Sequence, residues 1–102
     1  MINIHTDSDN THRFSVKTEN GNTLLTSVAF PDKTEMDETI KSLGAATMNR
    51  NHFERNTNTE GKFLFSLKDD TGGTIGHSEP YDSEAGMENG IKNLREQIQF
   101  LG

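Results

Sequence analysis

The chain has 102 residues, with 10 Lys+Arg against 16 Asp+Glu, a formal net charge of −6, 29% hydrophobic residues and neither cysteine nor tryptophan. That length and apolar content fit one domain, 1–102, or two very small halves sharing a thin core, with disorder as the alternative. They exclude a disulfide framework, a thiolate nucleophile and a Cys-based metal site, argue against a general polyanion binder, and leave no apolar run near the roughly 20 residues of a membrane span.

In chain order, the opening Met1-Ile2-Asn3-Ile4-His5 lacks a basic stretch followed by an apolar one, so no secretory signal is expected and the default reading is cytoplasmic. A short strand is predicted over Ile2–Thr6. Arg13–Lys17 alternates polar and apolar residues, and Glu19-Asn20-Gly21-Asn22 supplies a tight hairpin turn into a strand over Thr23–Phe30. Met36, Ile40 and Leu43 then stand at i, i+4 and i+7, the stripe of a helix that Asp32 starts, with Glu35 three residues on as a capping-box carboxylate. The order then repeats. A strand over His52–Asn56 precedes one over Lys62–Lys68 with Phe63, Phe65 and Leu67 on one face. Asp69-Asp70-Thr71-Gly72-Gly73 makes the turn into Thr74–Glu79, and a helix starting at Ser83 carries Met87, Ile91, Leu94 and Ile98. Pro31 and Pro80 end the strands before the helices. Gly90 costs about 1 kcal/mol inside a helix relative to alanine, which implies close approach of the helix backbone to the sheet or to the other copy.

The repetition is literal. At an offset of 51 residues Phe14-Ser15-Val16-Lys17 falls on Phe65-Ser66-Leu67-Lys68, Gly21 on Gly72, Ser27 on Ser78, Met36 on Met87 and Leu43 on Leu94, with 11 identities over the 42 positions from Ile2 to Leu43. Two copies are too few for a solenoid, so a pair with approximate two-fold symmetry is expected, residues 1–51 and 52–102.

Two such units, with Asn20-Gly21-Asn22-Thr23-Leu24-Leu25-Thr26-Ser27 in one, and Ile75-Gly76-His77-Ser78-Glu79-Pro80-Tyr81 followed by Ser83-Glu84-Ala85-Gly86-Met87-Glu88-Asn89-Gly90-Ile91 in the other, resemble the YegP-like family of bacterial tandem-repeat domains. The resemblance implies an α+β fold in which β-β-β-α repeats join into one antiparallel sheet with two helices packed on one face. It implies no activity, the family being functionally uncharacterised. The first copy departs from the pattern: Val28-Ala29-Phe30 replaces the Glu-x-Tyr ending, and Asp37-Glu38-Thr39 stands where the second helix has Glu88-Asn89-Gly90. A site built on those features would exist once, in the second copy.

No catalytic, cofactor-binding or metal residues are assigned. His5, His12, His52 and His77 form no metal-ligand spacing, and the repeat does not pair them, since His12 aligns with Phe63 and His77 with Thr26. Asp7-Ser8-Asp9-Asn10 begins like a calcium loop but has His12 and Thr18 where an EF-hand needs Gly and Glu, and reads as a turn. Asp69-Asp70-Thr71-Gly72-Gly73 lacks the lysine and following helix of a phosphate loop. Ser27 and Ser78 lack a nucleophile elbow, and adjacent His77 and Ser78 point to opposite faces of a strand, so an enzyme is unsupported. Phe14 and Phe65 could stack bases if they lay on an open sheet face, but the helices need them as core. The acidic helix faces, Glu35, Asp37 and Glu38, and Glu84, Glu88 and Glu96, read as solvated surface. The expected function is therefore a small non-enzymatic binding or interaction module, taking an unknown protein or small ligand through a sheet edge or open face, as a monomer or weak homodimer. The alternative is single-stranded nucleic-acid binding through the open sheet face, against which the net charge weighs.

Overall fold

Period-two alternation and glycine turns generate six strands, and two apolar helical stripes cover them. The computed structural model describes residues 2–101, the last by its backbone alone. In order come β1 (Ile2–Thr6), β2 (His12–Lys17), β3 (Thr23–Ser27), α1 (Lys33–Met48), a 3-10 turn (Arg50–His52), β4 (Phe53–Thr57), β5 (Phe63–Lys68), β6 (Thr74–His77) and α2 (Glu84–Leu101). The strands form one sheet in the order β1-β2-β3-β6-β5-β4, and every neighbouring pair is antiparallel. Gly21 and Gly72 take up φ of 87° and 86° in the β2–β3 and β5–β6 hairpin turns, a conformation that costs a residue with a Cβ. No helix is long and apolar enough to cross a membrane among the described residues.

The pairing registers of the two halves coincide at the offset of 51. Ile2 pairs with Val16 as Phe53 does with Leu67, and Ser15 with Thr26 as Ser66 with His77. Both inner hairpins carry an irregularity at the same place, between Val16 and Lys17 and between Leu67 and Lys68. Such a bulge inserts one extra residue, so consecutive Leu24 and Leu25 are both buried instead of alternating. The halves meet where Thr26 pairs with His77 and Ser27 with Gly76. Residues 26 and 77 are equivalent positions, so that pair lies on the pseudo-two-fold axis.

The third strand of each half ends sooner than Phe30 and Glu79. Ser27 and Ser78 cut them short: each hydroxyl accepts the N–H of Phe14 or Phe65 at 2.9 Å and donates to the next carbonyl, Val28 at 2.8 Å or Glu79 at 2.9 Å. A side chain thereby replaces a backbone rung, and beyond it the chain stays tied to the sheet by the Val28 N–H on the Ile75 carbonyl at 2.9 Å, the Ser78 N–H on the Phe65 carbonyl at 2.8 Å, and the isolated bridges His12–Phe30 and Phe63–Tyr81. β4 starts at Phe53 and not His52, because Asn49 caps a 3-10 turn through the Asn51 N–H.

Helix starts follow the capping residues. Asp32 accepts the Thr34 N–H at 2.8 Å and Ser83 Oγ the Gly86 N–H at 3.0 Å, each satisfying a donor that the first turn leaves open. Both helices pack against the sheet and against each other. Between them and the strands lie Phe14, Val16, Leu25, Met36 and Leu43 from one half and Phe65, Leu67, Met87, Ile91, Leu94 and Ile98 from the other, all buried. Equivalent residues have like surroundings. Phe14 stacks on Phe30 at 6.2 Å and Phe65 on Tyr81 at 6.5 Å, at interplanar angles of 14° and 13°.

Gly90 does mark a close approach, and what approaches is a ring. A Cβ there would lie 2.5 Å from Cζ of Tyr81 and would overlap its hydroxyl. In the first half Phe30, which has no hydroxyl, replaces Tyr81, and Thr39 replaces Gly90.

Candidate functional site

The residue types that draw attention in the sequence are dispersed by the fold. His5 Nε2 lies 3.8 Å from Asp7, and His12 Nδ1 is 3.1 Å from the Thr6 hydroxyl. His52 spans two elements, with Nδ1 2.9 Å from the Ala46 carbonyl of α1 and Nε2 3.1 Å from Asp70 of the β5–β6 turn. His77 Nδ1 is 2.9 Å from the Ser66 hydroxyl on the sheet face away from the helices. Ser66 retains 4% exposure, so this pair cannot present a nucleophile to a substrate. Among the described residues no three His, Asp or Glu side chains are grouped to hold a metal ion.

The two acidic turns consume their own acceptors. Asp9 takes the Thr11 hydroxyl at 2.7 Å and its N–H at 3.2 Å, and Asp7 takes Arg13 Nε at 2.9 Å. Asp69 Oδ1 accepts the Thr71 hydroxyl, the Thr71 N–H and the Gly73 N–H at 2.7, 2.9 and 2.8 Å. Bonds from Thr11 and from Thr71, respectively, lower the Asp9 and Asp69 carboxyl pKa values. Phe14 and Phe65 have no exposure and lie under the helices. Among the described residues the open face has no stacking aromatic pair, and its central row is Ser15, Thr26, His77 and Ser66.

A different set converges, four basic side chains around one carboxylate. Arg55 pairs with Phe65, so alternation turns it toward the helix side at the rim of edge strand β4. There its Nε and Nη2 donate to the two carboxylate oxygens of Glu88 on α2, the second at 3.0 Å. Those bonds raise the Arg55 pKa and hold the Glu88 carboxyl below the ordinary glutamate range. Glu88, Lys92 and Arg95 stand at i, i+4 and i+7 on α2, flanking the buried Ile91 and Leu94, and Arg50 arrives from the 3-10 turn between the halves. Arg50, Arg55, Lys92 and Arg95, with Glu88, line a groove of about 300 Å³ together with the buried Phe53 and Ile91. Four of the ten Lys and Arg residues of an acidic chain thus line one groove that holds a single carboxylate. Nε of Arg95 is buried and has no hydrogen-bond partner among the described residues.

The sequence hides this group because its members lie up to 45 positions apart, in no basic run. A signal exists in the repeat alignment: Ile4, Asp37 and Gly44 of the first copy stand where the second has Arg55, Glu88 and Arg95. The groove is therefore built from residues of the second copy together with Arg50 at the end of the first, and the first copy lacks the matching arginines.

Over 88 residues the chain is 35% identical to the UPF0339 protein YegP of Escherichia coli K12, covering 86% of this chain and 80% of that one. The chain belongs to the UPF0339, or YegP-like, family. Residues 58–99 match the family model described as a domain of unknown function, DUF1508. Among other members of the UPF0339 family, a protein of the ptx operon 5′ region of Stutzerimonas stutzeri is 29% identical over 90% of this chain and 83% of its own. The solution NMR structure of YegP from E. coli, a protein of unknown function, superposes with a TM-score of 0.89 at 32% identity, covering 95% of this chain and 84% of that one. That of SO3888 from Shewanella oneidensis gives 0.90 at 26% identity, covering 96% and 83%. The YegP-like family is thus one of α+β folds without an assigned function.

Proposed function

We propose that this YegP-like chain is a small, non-enzymatic, cytoplasmic binding module whose working surface is the groove between β4 and α2, and that its ligand is anionic. One observation carries the reading: Arg50, Arg55, Lys92 and Arg95 line a single groove, and the buried Nε of Arg95 has no acceptor among the described residues. A buried donor without a partner costs about 1–3 kcal/mol, which a ligand oxygen would recover once the Arg95 side chain turns that N–H into the groove. The rival, single-stranded nucleic acid on the open sheet face, has less support, because the rings that would stack bases are in the core.

A thermal-shift screen of small anions at low ionic strength tests this. Binding at about one hundred times Kd adds about 2.7 kcal/mol to the folded state, a rise in Tm of roughly 10–20 °C for a domain of this size. The exposed variants Arg50→Gln and Lys92→Gln should reduce the rise. A screen in which no anion shifts Tm, while an oligonucleotide binds with steep salt dependence, would overturn the proposal in favour of the rival.

A further inference from the structure

We infer that the ligand of this groove carries a phosphate monoester, bound as the dianion, one per chain, between Arg50, Arg55, Lys92 and Arg95. The inference rests on the groove being the binding surface and adds the chemistry of the group that occupies it.

Three arginines and one lysine around one opening supply planar forks together with a point charge, the combination that suits phosphoryl oxygens. Glu88 raises what a ligand must supply. It already occupies two donors of Arg55, so an anion must gain enough from Arg50, Lys92 and Arg95 to outweigh its repulsion by Glu88, and with four cations against one carboxylate that gain grows with the ligand's charge and number of acceptor oxygens. A phosphomonoester brings a charge near −2 and three acceptor oxygens, enough to engage Arg95, Lys92 and Arg50 while drawing on Arg55. Stoichiometry follows from the repeat. The equivalent surface of the first half carries Ile4, Asp37, Lys41 and Gly44, with one cation and no arginine, so a second site is not built.

Calorimetric titration of the full chain with phenyl phosphate and phenyl sulfate tests this, because the two esters share a shape and differ by one charge. At about pH 8, well above a second phosphate ionisation near 6, phenyl phosphate should bind with a stoichiometry of one and at least about tenfold more tightly. Amide NMR shifts should concentrate in residues 50–55 and 88–95. Arg50→Gln and Lys92→Gln, both at exposed positions, should weaken phenyl phosphate several-fold with Tm unchanged, and Arg95→Met should remove most of the binding. Equal affinity for the two esters, two sites per chain, or shifts on the open sheet face would overturn the inference. If glutarate bound in the groove and phenyl phosphate did not, the phosphate assignment would fall and the binding-module reading would stand. Silence from every anion would remove both.

Discussion

Gly90→Ala places two known magnitudes in opposition at one site. Alanine in a helix interior is favoured over glycine by about 1 kcal/mol, so on propensity alone the change should stabilise α2. The new Cβ, however, would stand 2.5 Å from Cζ and 3.2 Å from Cε1 of Tyr81, where carbon atoms rest at about 3.5–4.0 Å. The ring has little room to give. It stacks on Phe65, and its backbone is held to Phe63 by bonds of 2.6 and 2.8 Å. Overpacking of this kind costs about 1–3 kcal/mol, and with a pinned ring the upper part of that range applies. Gly90→Ala should therefore destabilise by about 1–2 kcal/mol, lowering Tm by roughly 5–15 °C. Tyr81→Leu removes the obstructing atoms, and in that background the same change should stabilise by up to about 1 kcal/mol, a coupling of about 2–3 kcal/mol. Urea unfolding of the four proteins gives the cycle. Stabilisation by Gly90→Ala in the native background, or the same sign in both, would refute the reasoning.

Two further outcomes are expected. If residues 1–51 and 52–102 are halves of one folding unit, neither fragment folds alone, because α1 packs on β5 and α2 on β2 and β3, and about 50 residues of this composition bury too little apolar surface. A fragment that unfolds cooperatively by circular dichroism would contradict this. Acid should weaken the fold, since the folded-state pKa of Glu88 is depressed by Arg55 and that of Asp82 by Lys62. A carboxyl with a lowered folded pKa stabilises fully above its unfolded value, about 4, and loses that contribution as pH falls through the folded one. Glu88→Gln should flatten the decline below about pH 4.5 by no more than about 1 kcal/mol, the pair being partly exposed. An unchanged urea-midpoint profile would exclude the Arg55–Glu88 pair as a source.

Much of the architecture is local information written twice. The alternation of Arg13–Lys17, the glycines at 21 and 72, and the stripes of Met36-Ile40-Leu43 and Met87-Ile91-Leu94 each constrain a few consecutive residues, and the strands and helices sit where those patterns put them. Strand ends were less legible. Ser27 and Ser78 stop their strands by reaching a backbone N–H 13 positions away, a bond that no local pattern encodes. The groove lies further still from sequence reading, since Arg50 and Arg55 share it with Lys92 and Arg95 only because β4 is an edge strand and α2 crosses beside it. Composition, turn chemistry and periodicity determined the elements, their number and their apolar faces, for these depend on neighbours along the chain. Which charges meet was decided by packing, because a groove depends on distances through space that the order of residues does not carry.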